Sequence, residues 1–194
     1  QVDKQNMTVH RWFAAKACPG EYLYSRHGDI AAKVNAILGA SDEPVASGFQ
    51  ATTLKDMGEA DIIAKVGALF TADQRKNGVL ASVSFAQFIL ESGYGKSELA
   101  QNANNCFGMK CSLSGNTWGG SAWDGASKYA KNTQEYVNGQ YVSVTAEFRK
   151  YQNVEQSIAD HSAYLLGAMN GSKKRYDSLK GCTDYKKAVQ IIKD

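Results

Sequence analysis

The 194-residue chain has two prolines, four cysteines and three histidines, and no run of the 18 or more apolar residues that a membrane-spanning helix needs. Its longest candidate, around residues 79–90, is interrupted by Ser82, Ser84 and Gln87, so no membrane span is expected. Four cysteines, at 18, 106, 111 and 182, are too few for a disulfide scaffold at this length. Cys106 and Cys111 are close enough in sequence to pair if the turn geometry cooperates; a disulfide there is the minority reading beside two thiols, and zinc is weaker again. The chain starts at Gln1 with neither an initiator Met nor a basic-then-apolar leader, so any signal peptide has been removed or never existed, and localisation has to be argued from function. Repeats and low-complexity runs are absent. Charge of one sign is scarce too: the net charge of +3 and pI near 8.6 suit an anionic polymer but are equally ordinary in proteins that bind nothing charged.

What is present is a globular composition, 43% apolar and 10% aromatic, enough to build a core. Residues 28–38, GDIAAKVNAIL, place apolar side chains at 30, 34, 37 and 38 with Gly39 as a stop, a short helix. Residues 40–57 lose periodicity and gather Gly, Ser, Asp, Thr and Pro44, which reads as a linker. A helix is expected over 59–70, then a polar break TADQRKNG, then a second helix over 79–91, apolar on most sides and therefore buried. Asn138-Gly139 inside EYVNGQYVSV is a strong hairpin signal, because a type I′ turn needs positive φ at both central residues; residues 133–149 read as a small β-element. VEQSIADHSAYLLGAM and CTDYKKAVQIIK return to helical spacing. The expected fold class is α+β, mostly helical, with a small inserted β-hairpin lobe.

The apolar segment ends in Glu91, followed by Ser-Gly-Tyr-Gly. A carboxylate closing a buried helix is disfavoured in its charged form by desolvation and by the negative end of the helix dipole. A carboxyl group kept protonated in this way can give a proton to a leaving oxygen, as cleavage of a glycosidic bond requires. The tripeptide alone fits an ordinary glycine-capped helix end as well. The longer string ILESGYGKSELAQNANNCFGMK, with Ala86 and Gln87 ahead of the acid, Phe148-Arg149-Lys150-Tyr151 and Ser157-Ile158-Ala159-Asp160-His161, resembles the glucosaminidases of glycoside hydrolase family 73. That resemblance covers most of residues 75–170. It implies a lysozyme-like helical domain that cuts peptidoglycan, with Glu91 as general acid.

Glycoside hydrolysis usually needs a second carboxylate. In the family, a more variable Glu in a Thr-x-Glu-Tyr context takes that part, and Thr133-Gln134-Glu135-Tyr136 matches it; Glu98, Asp124, Glu147 and Glu155 read more simply as solvated charges. An enzyme using the substrate's own acetamido group would not need Glu135. Sugar rings are bound by aromatic faces with polar groups at their edges, which makes Tyr94, Phe107, Trp118, Trp123, Tyr129 and Tyr151 candidates, with Asn105 and Gln87 as hydrogen-bonding partners; for each aromatic, core packing is at least as good a reading. Asp160 and His161 are expected to satisfy structural hydrogen bonds.

Near the N-terminus, VHRWFAAKACPGEYL resembles the closing segment of type-2 zinc-dependent N-acetylmuramoyl-L-alanine amidases, in which a His-x7-Cys pair, here His10 and Cys18, supplies two zinc ligands and a Lys, here Lys16, assists. A catalytic zinc wants three protein ligands and an open position, and the third is missing, so neither amidase activity nor a bound metal is expected. Residues 1–39 then read as an amidase remnant, 40–57 as a linker, and 58–194 as a glucosaminidase domain lacking the family's Gly-Tyr-Ala-Thr-Asp-like segment and final helix. The resemblance implies cleavage on the reducing side of N-acetylglucosamine in peptidoglycan glycan strands. It implies no cofactor, no nucleic acid and a monomer, acting outside the cell or in the wall, or, for a phage lysin, made in the host cytoplasm and released to the wall. Muramidase or lytic transglycosylase chemistry on the same fold, and a wall-binding fragment without catalysis, are the alternatives.

Overall fold

Helix α1, Glu59–Asn77, has Glu59 and Asp61 in its first turn and Arg75 and Lys76 in its last, each complementing the helix dipole. It buries Ile62, Val66, Leu69 and Phe70, spaced four, three and one residues apart on one face. The expected break at TADQRKNG is the last two turns of this same helix: its polar residues prefer solvent yet form helix readily, and the stop is Gly78, left-handed at φ 82°. In a computed structural model that describes Ser25 and residues 48–112, 118–137 and 140–193, the chain divides into two units, Gln1–Pro44 and Val45–Asp194. The expectations for residues 28–38 and for His10, Lys16 and Cys18 lie outside the described residues.

In the second unit, α2 (Ala81–Ser92), α3 (Glu98–Ala103), the strands β1 (Lys128–Val137) and β2 (Gln140–Arg149), α4 (Val154–Gly167), the two-residue strands β3 (Met169–Asn170) and β4 (Lys173–Lys174), and α5 (Tyr185–Lys193) follow α1. Helices with two small antiparallel sheets make this an α+β fold. Caps set several of the helix starts: Ser97 accepts from Ala100 N–H, Asn153 from Gln156 N–H, and Asp184 from Lys186 N–H. The main core joins α1, α2 and α4 through Phe70, Phe88, Val154 and Ile158, with Phe85 stacked on Phe88 at 5.7 Å. Ala51 and Leu54, inside the expected 40–57 linker, form a 3-10 turn buried in that core, so packing begins earlier than the loss of periodicity suggested. A second cluster, Val79, Val83, Leu165, Ala168, Tyr176, Leu179 and Ala188, gathers the start of α2, the end of α4, the segment after β4 and α5.

β1 and β2 pair from Lys128–Arg149 to Val137–Gln140, so the hairpin begins five residues before the expected 133; Asn138 and Gly139 themselves lie outside the described residues. Its base packs on α3 through Phe148, Leu99 and Ala103. Residues 109–111 add a short third edge, with Arg149 N–H donating to Met109 O and Cys111 N–H to Glu147 O, both at 2.9 Å. Cys106, Cys111 and Cys182 are thiols; the Cys106 thiol is buried and pushed up to about 12 by desolvation, so it behaves as an apolar side chain. No helix among the described residues is long and apolar enough to cross a membrane.

Candidate active site

Helix α2 is not apolar and buried all round. Leu90 is 82% exposed, and Ser82 and Ala86 also face solvent. Ser84, Gln87 and Glu91, separated by three and four residues, fall along one stripe of the helix. Ser84 is buried, Gln87 half-buried and Glu91 exposed. The stripe is covered at its start and open at its end, with Glu91 at the open end. Glu91 makes no hydrogen bond or ion pair with the described residues. The burial expected around it is corrected by this exposure.

Each residue after Glu91 has an assignable task. Ser92 is fully buried; its Oγ donates to Phe88 O at 2.6 Å and accepts from Gly95 N–H at 2.8 Å, and its carbonyl accepts from Ser97 N–H at 2.8 Å. Gly93, Tyr94 and Gly95 are all left-handed, at φ 55°, 62° and 76°. At Gly95 the requirement is also spatial, since a Cβ would sit 2.6 Å from Leu54 Cδ1 and 3.1 Å from Phe88 Cζ. Tyr94 tolerates a conformation that costs a non-glycine residue about 1 kcal/mol or more; its hydroxyl is held by Glu59 at the start of α1, and that bond raises the phenol above its ordinary range. The turn therefore fixes the backbone beside Glu91 against α1 and the core.

The other expected site residues divide sharply. Asn105 is 1% exposed; its Nδ2 donates to Met109 O and Arg149 O at 2.8 Å, and its Oδ1 accepts from Met109 N–H at 3.0 Å. No polar atom is left for a sugar, and its work is to order the 105–109 loop. Tyr151, 2% exposed, donates to Asp160 Oδ2 at 2.6 Å, and Phe107 is buried in a face-to-face stack on His161 at 3.9 Å. Core packing thus consumes three of the expected sugar contacts. Gln87 stands one turn before Glu91, and its buried Oε1 has no hydrogen-bond partner, which suits a residue that completes its bonding to a ligand or water.

Trp118 and Trp123, both half-buried, lie against the Arg149 guanidinium at 4.2 and 4.8 Å. Arg149 Nη1 donates to Asp160 Oδ2 at 2.8 Å, and Asp160 Oδ1 accepts from Ser121 Oγ at 2.5 Å and from Trp118 Nε1 at 3.4 Å. Sequence reasoning had Asp160 as structural but gave Arg149, Ser121 and Ser92 no part; only the motif FRKY hinted at Arg149. His161 is buried and pushed down to about 3 by desolvation, so it is a neutral ring at physiological pH.

Glu135 pairs with Val142, two positions from the end of β1. By the two-residue alternation of a strand, position 135 belongs to the face that carries Tyr129 and Lys131, whose partners are Phe148 and Ala146. That face packs on α3 at the hairpin base. It is clasped there by Glu98, which accepts from Tyr129 Oη and from Lys131 Nζ, both at 3.0 Å; the Lys131 and Tyr129 bonds hold the Glu98 carboxyl below its ordinary range. The remaining competitors are engaged elsewhere: Glu147 pairs with Lys128 at 2.6 Å, Asp124 caps the turn at Ser127, and Glu155 accepts from Gly48 and Phe49 N–H.

Residues 67–194 match the glucosaminidase family, described as mannosyl-glycoprotein endo-beta-N-acetylglucosaminidase. The chain is 33% identical over 117 residues to the exo-glucosaminidase LytG of Bacillus subtilis (60% of this chain, 38% of that protein). It is 42% identical over 94 residues to the peptidoglycan hydrolase FlgJ of Pseudomonas aeruginosa (46% and 21%). The matched region is thus well under half the length of either relative. In fold it is similar to the catalytic domain of the autolysin Auto of Listeria monocytogenes, with a TM-score of 0.56 over 88% of this chain and 82% of that one, at 22% identity. A match to about two thirds of the chain, on the segment that carries the Glu91 turn, shows that the protein belongs to the glucosaminidase family of glycoside hydrolases.

Proposed function

We propose that this chain cleaves the β-1,4 bond on the reducing side of N-acetylglucosamine in bacterial peptidoglycan. Glu91 gives its proton to the leaving glycosidic oxygen, and Glu135 is the second carboxylate, which takes a proton from the attacking water or itself attacks the anomeric carbon. The observation that carries this reading is the placement of Glu91: the one carboxylate on the open end of the α2 stripe, uncommitted to the described residues, beside a turn locked by Ser92 and Gly95. A glycan laid over the last turn of α2 would expel water from Glu91 and meet the unpartnered Gln87 amide one turn away. The strand register supports Glu135, because its position shares the face that meets the helical body. Trp118 and Trp123 remain the aromatic candidates for a sugar face, while Tyr94 supports the turn. The protein acts as a monomer at the cell wall, outside the membrane.

The test is digestion of purified peptidoglycan by the chain and by Glu91→Gln, with borohydride reduction and mass spectrometry of the products. Reduced N-acetylglucosamine ends that disappear with the variant are expected. Reduced or anhydro muramic ends would assign muramidase or transglycosylase chemistry instead, and binding without cleavage by either form would leave a wall-gripping domain. Glu135→Gln is expected to lower kcat by at least about a hundredfold, the scale of a lost general base or nucleophile; unchanged turnover would point to the substrate's acetamido group in its place.

A further inference from the structure

Charge is distributed unevenly along the chain. Residues 169–193 carry six lysines and one arginine against Asp177 and Asp184, an excess of five positive charges where the whole chain has only +3, so the remainder is slightly acidic. Lys173 and Lys174 on β4, Lys180 in the following turn, and Lys187 and Lys193 on α5 are all exposed. They are held on one body, because Tyr176, Leu179 and Ala188 beneath them share a single apolar cluster. Gly181 N–H donates to Gly78 O at 2.8 Å, and the Lys180 side chain lies against Gly78, which brings Lys180 to the basic last turn of α1. Of the two acids, Asp184 is spent on the N–H groups that open α5.

We infer that this C-terminal lobe, which shares no residue with the Glu91 turn, is a docking surface for a linear phosphodiester polyanion of the bacterial wall. Lysines are compact point charges on flexible stems, suited to following a phosphate chain without fixed register, whereas forked recognition would call for arginines. A lipid surface fits less well: Ala188, Ile191 and Ile192 of α5 pack on the core, and the large apolar side chains that this helix leaves exposed, Tyr185 and Val189, are about half covered and offer little area to a bilayer. The choice of polymer rests on the wall-cleaving reading above; the existence of the basic lobe does not.

The experiment measures binding of the whole chain to soluble poly(glycerol phosphate) of defined length across a salt series, with anionic phospholipid vesicles and a DNA oligonucleotide as alternative probes. The triple variant Lys173→Glu, Lys174→Glu, Lys180→Glu is compared with Lys55→Glu, Lys65→Glu, Lys150→Glu, which changes net charge equally elsewhere. The C-terminal variant is expected to weaken polymer binding at least about tenfold and to lower the slope of log K against log salt by about 2, as for roughly three lost phosphate contacts. The control should stay within about twofold, and both should digest polymer-free peptidoglycan at the parental rate. Equal losses in the two variants, no polymer binding by the parent, or a loss confined to vesicles or DNA would overturn the inference. Failure to digest polymer-free peptidoglycan would count against the proposed activity alone.

Discussion

Gly95 shows how much a single position can demand. It is left-handed and has no room for a methyl group, so Gly95→Ala is expected to destabilise the protein by about 2 kcal/mol or more, read from the shift of its denaturant midpoint. His161 sets a pH dependence. The unfolded side chain titrates near 6.5 and the buried one near 3, so in that window the unfolded chain takes up a proton that the folded protein refuses. Stability is therefore full above 6.5 and falls as pH drops, by about 1.4 kcal/mol per unit and on the order of 3 kcal/mol by pH 4. Asp73, raised by burial, acts in the opposite sense, its contribution being lost as pH rises through its folded value. Chemical denaturation of the parent and of His161→Gln at pH 7 and pH 4 isolates the histidine, and the variant should lose most of the difference. At this scale the sequence was legible by type but not by task. Asn105 and Tyr151 are polar or aromatic residues in a motif, which suggests a ligand, yet their bonds are satisfied by Met109, Arg149 and Asp160, groups 4 to 44 residues away. No local pattern announces that saturation.

Among elements, the Asp160 carboxylate joins α4 to β2 and to the 118–121 segment through Arg149, Tyr151, Ser121 and Trp118. Asp160→Asn would leave the Arg149 guanidinium buried without its counter-charge, and a cost of about 3–5 kcal/mol in unfolding free energy is expected. Restoring balance with the double change Asp160→Leu, Arg149→Met should recover part of it, as measured by urea denaturation. The helices were legible through their apolar spacing and the hairpin through its alternation. Boundaries were less so. The polar end of α1 resembles a loop in composition but continues as helix because nothing stops it before Gly78, and the open end of the α2 stripe depends on which neighbours stop short of Glu91.

The described packing and hydrogen bonds of the second unit fall within residues 48–193. A chain beginning at Val45 is therefore expected to keep the unfolding midpoint of the full chain's second unit and its muropeptide products, by thermal melting and mass spectrometry; a lost transition would show that Gln1–Pro44 is needed to hold it. The family and its α+β architecture could be read from ordered motifs, since those combine turn chemistry with helix ends. The division at residue 44 falls inside the expected 40–57 linker, but the point in it where packing resumes could not be read, because burial of Ala51 and Leu54 is set by distant α1 and α2. The β1–β2 hairpin is clasped at its base by Glu98, while position 135 stands four residues beyond Lys131, about 13 Å along the strand at 3.3 Å per residue. A swing of about 20° at the clasp would move that position by roughly 4 Å, comparable to the gap between carboxylates spaced for direct attack and those spaced for an intervening water. Whether such an enzyme keeps or inverts the configuration of the sugar would then be a matter of leverage, decided at Tyr129 and Lys131 and not at the carboxylates themselves.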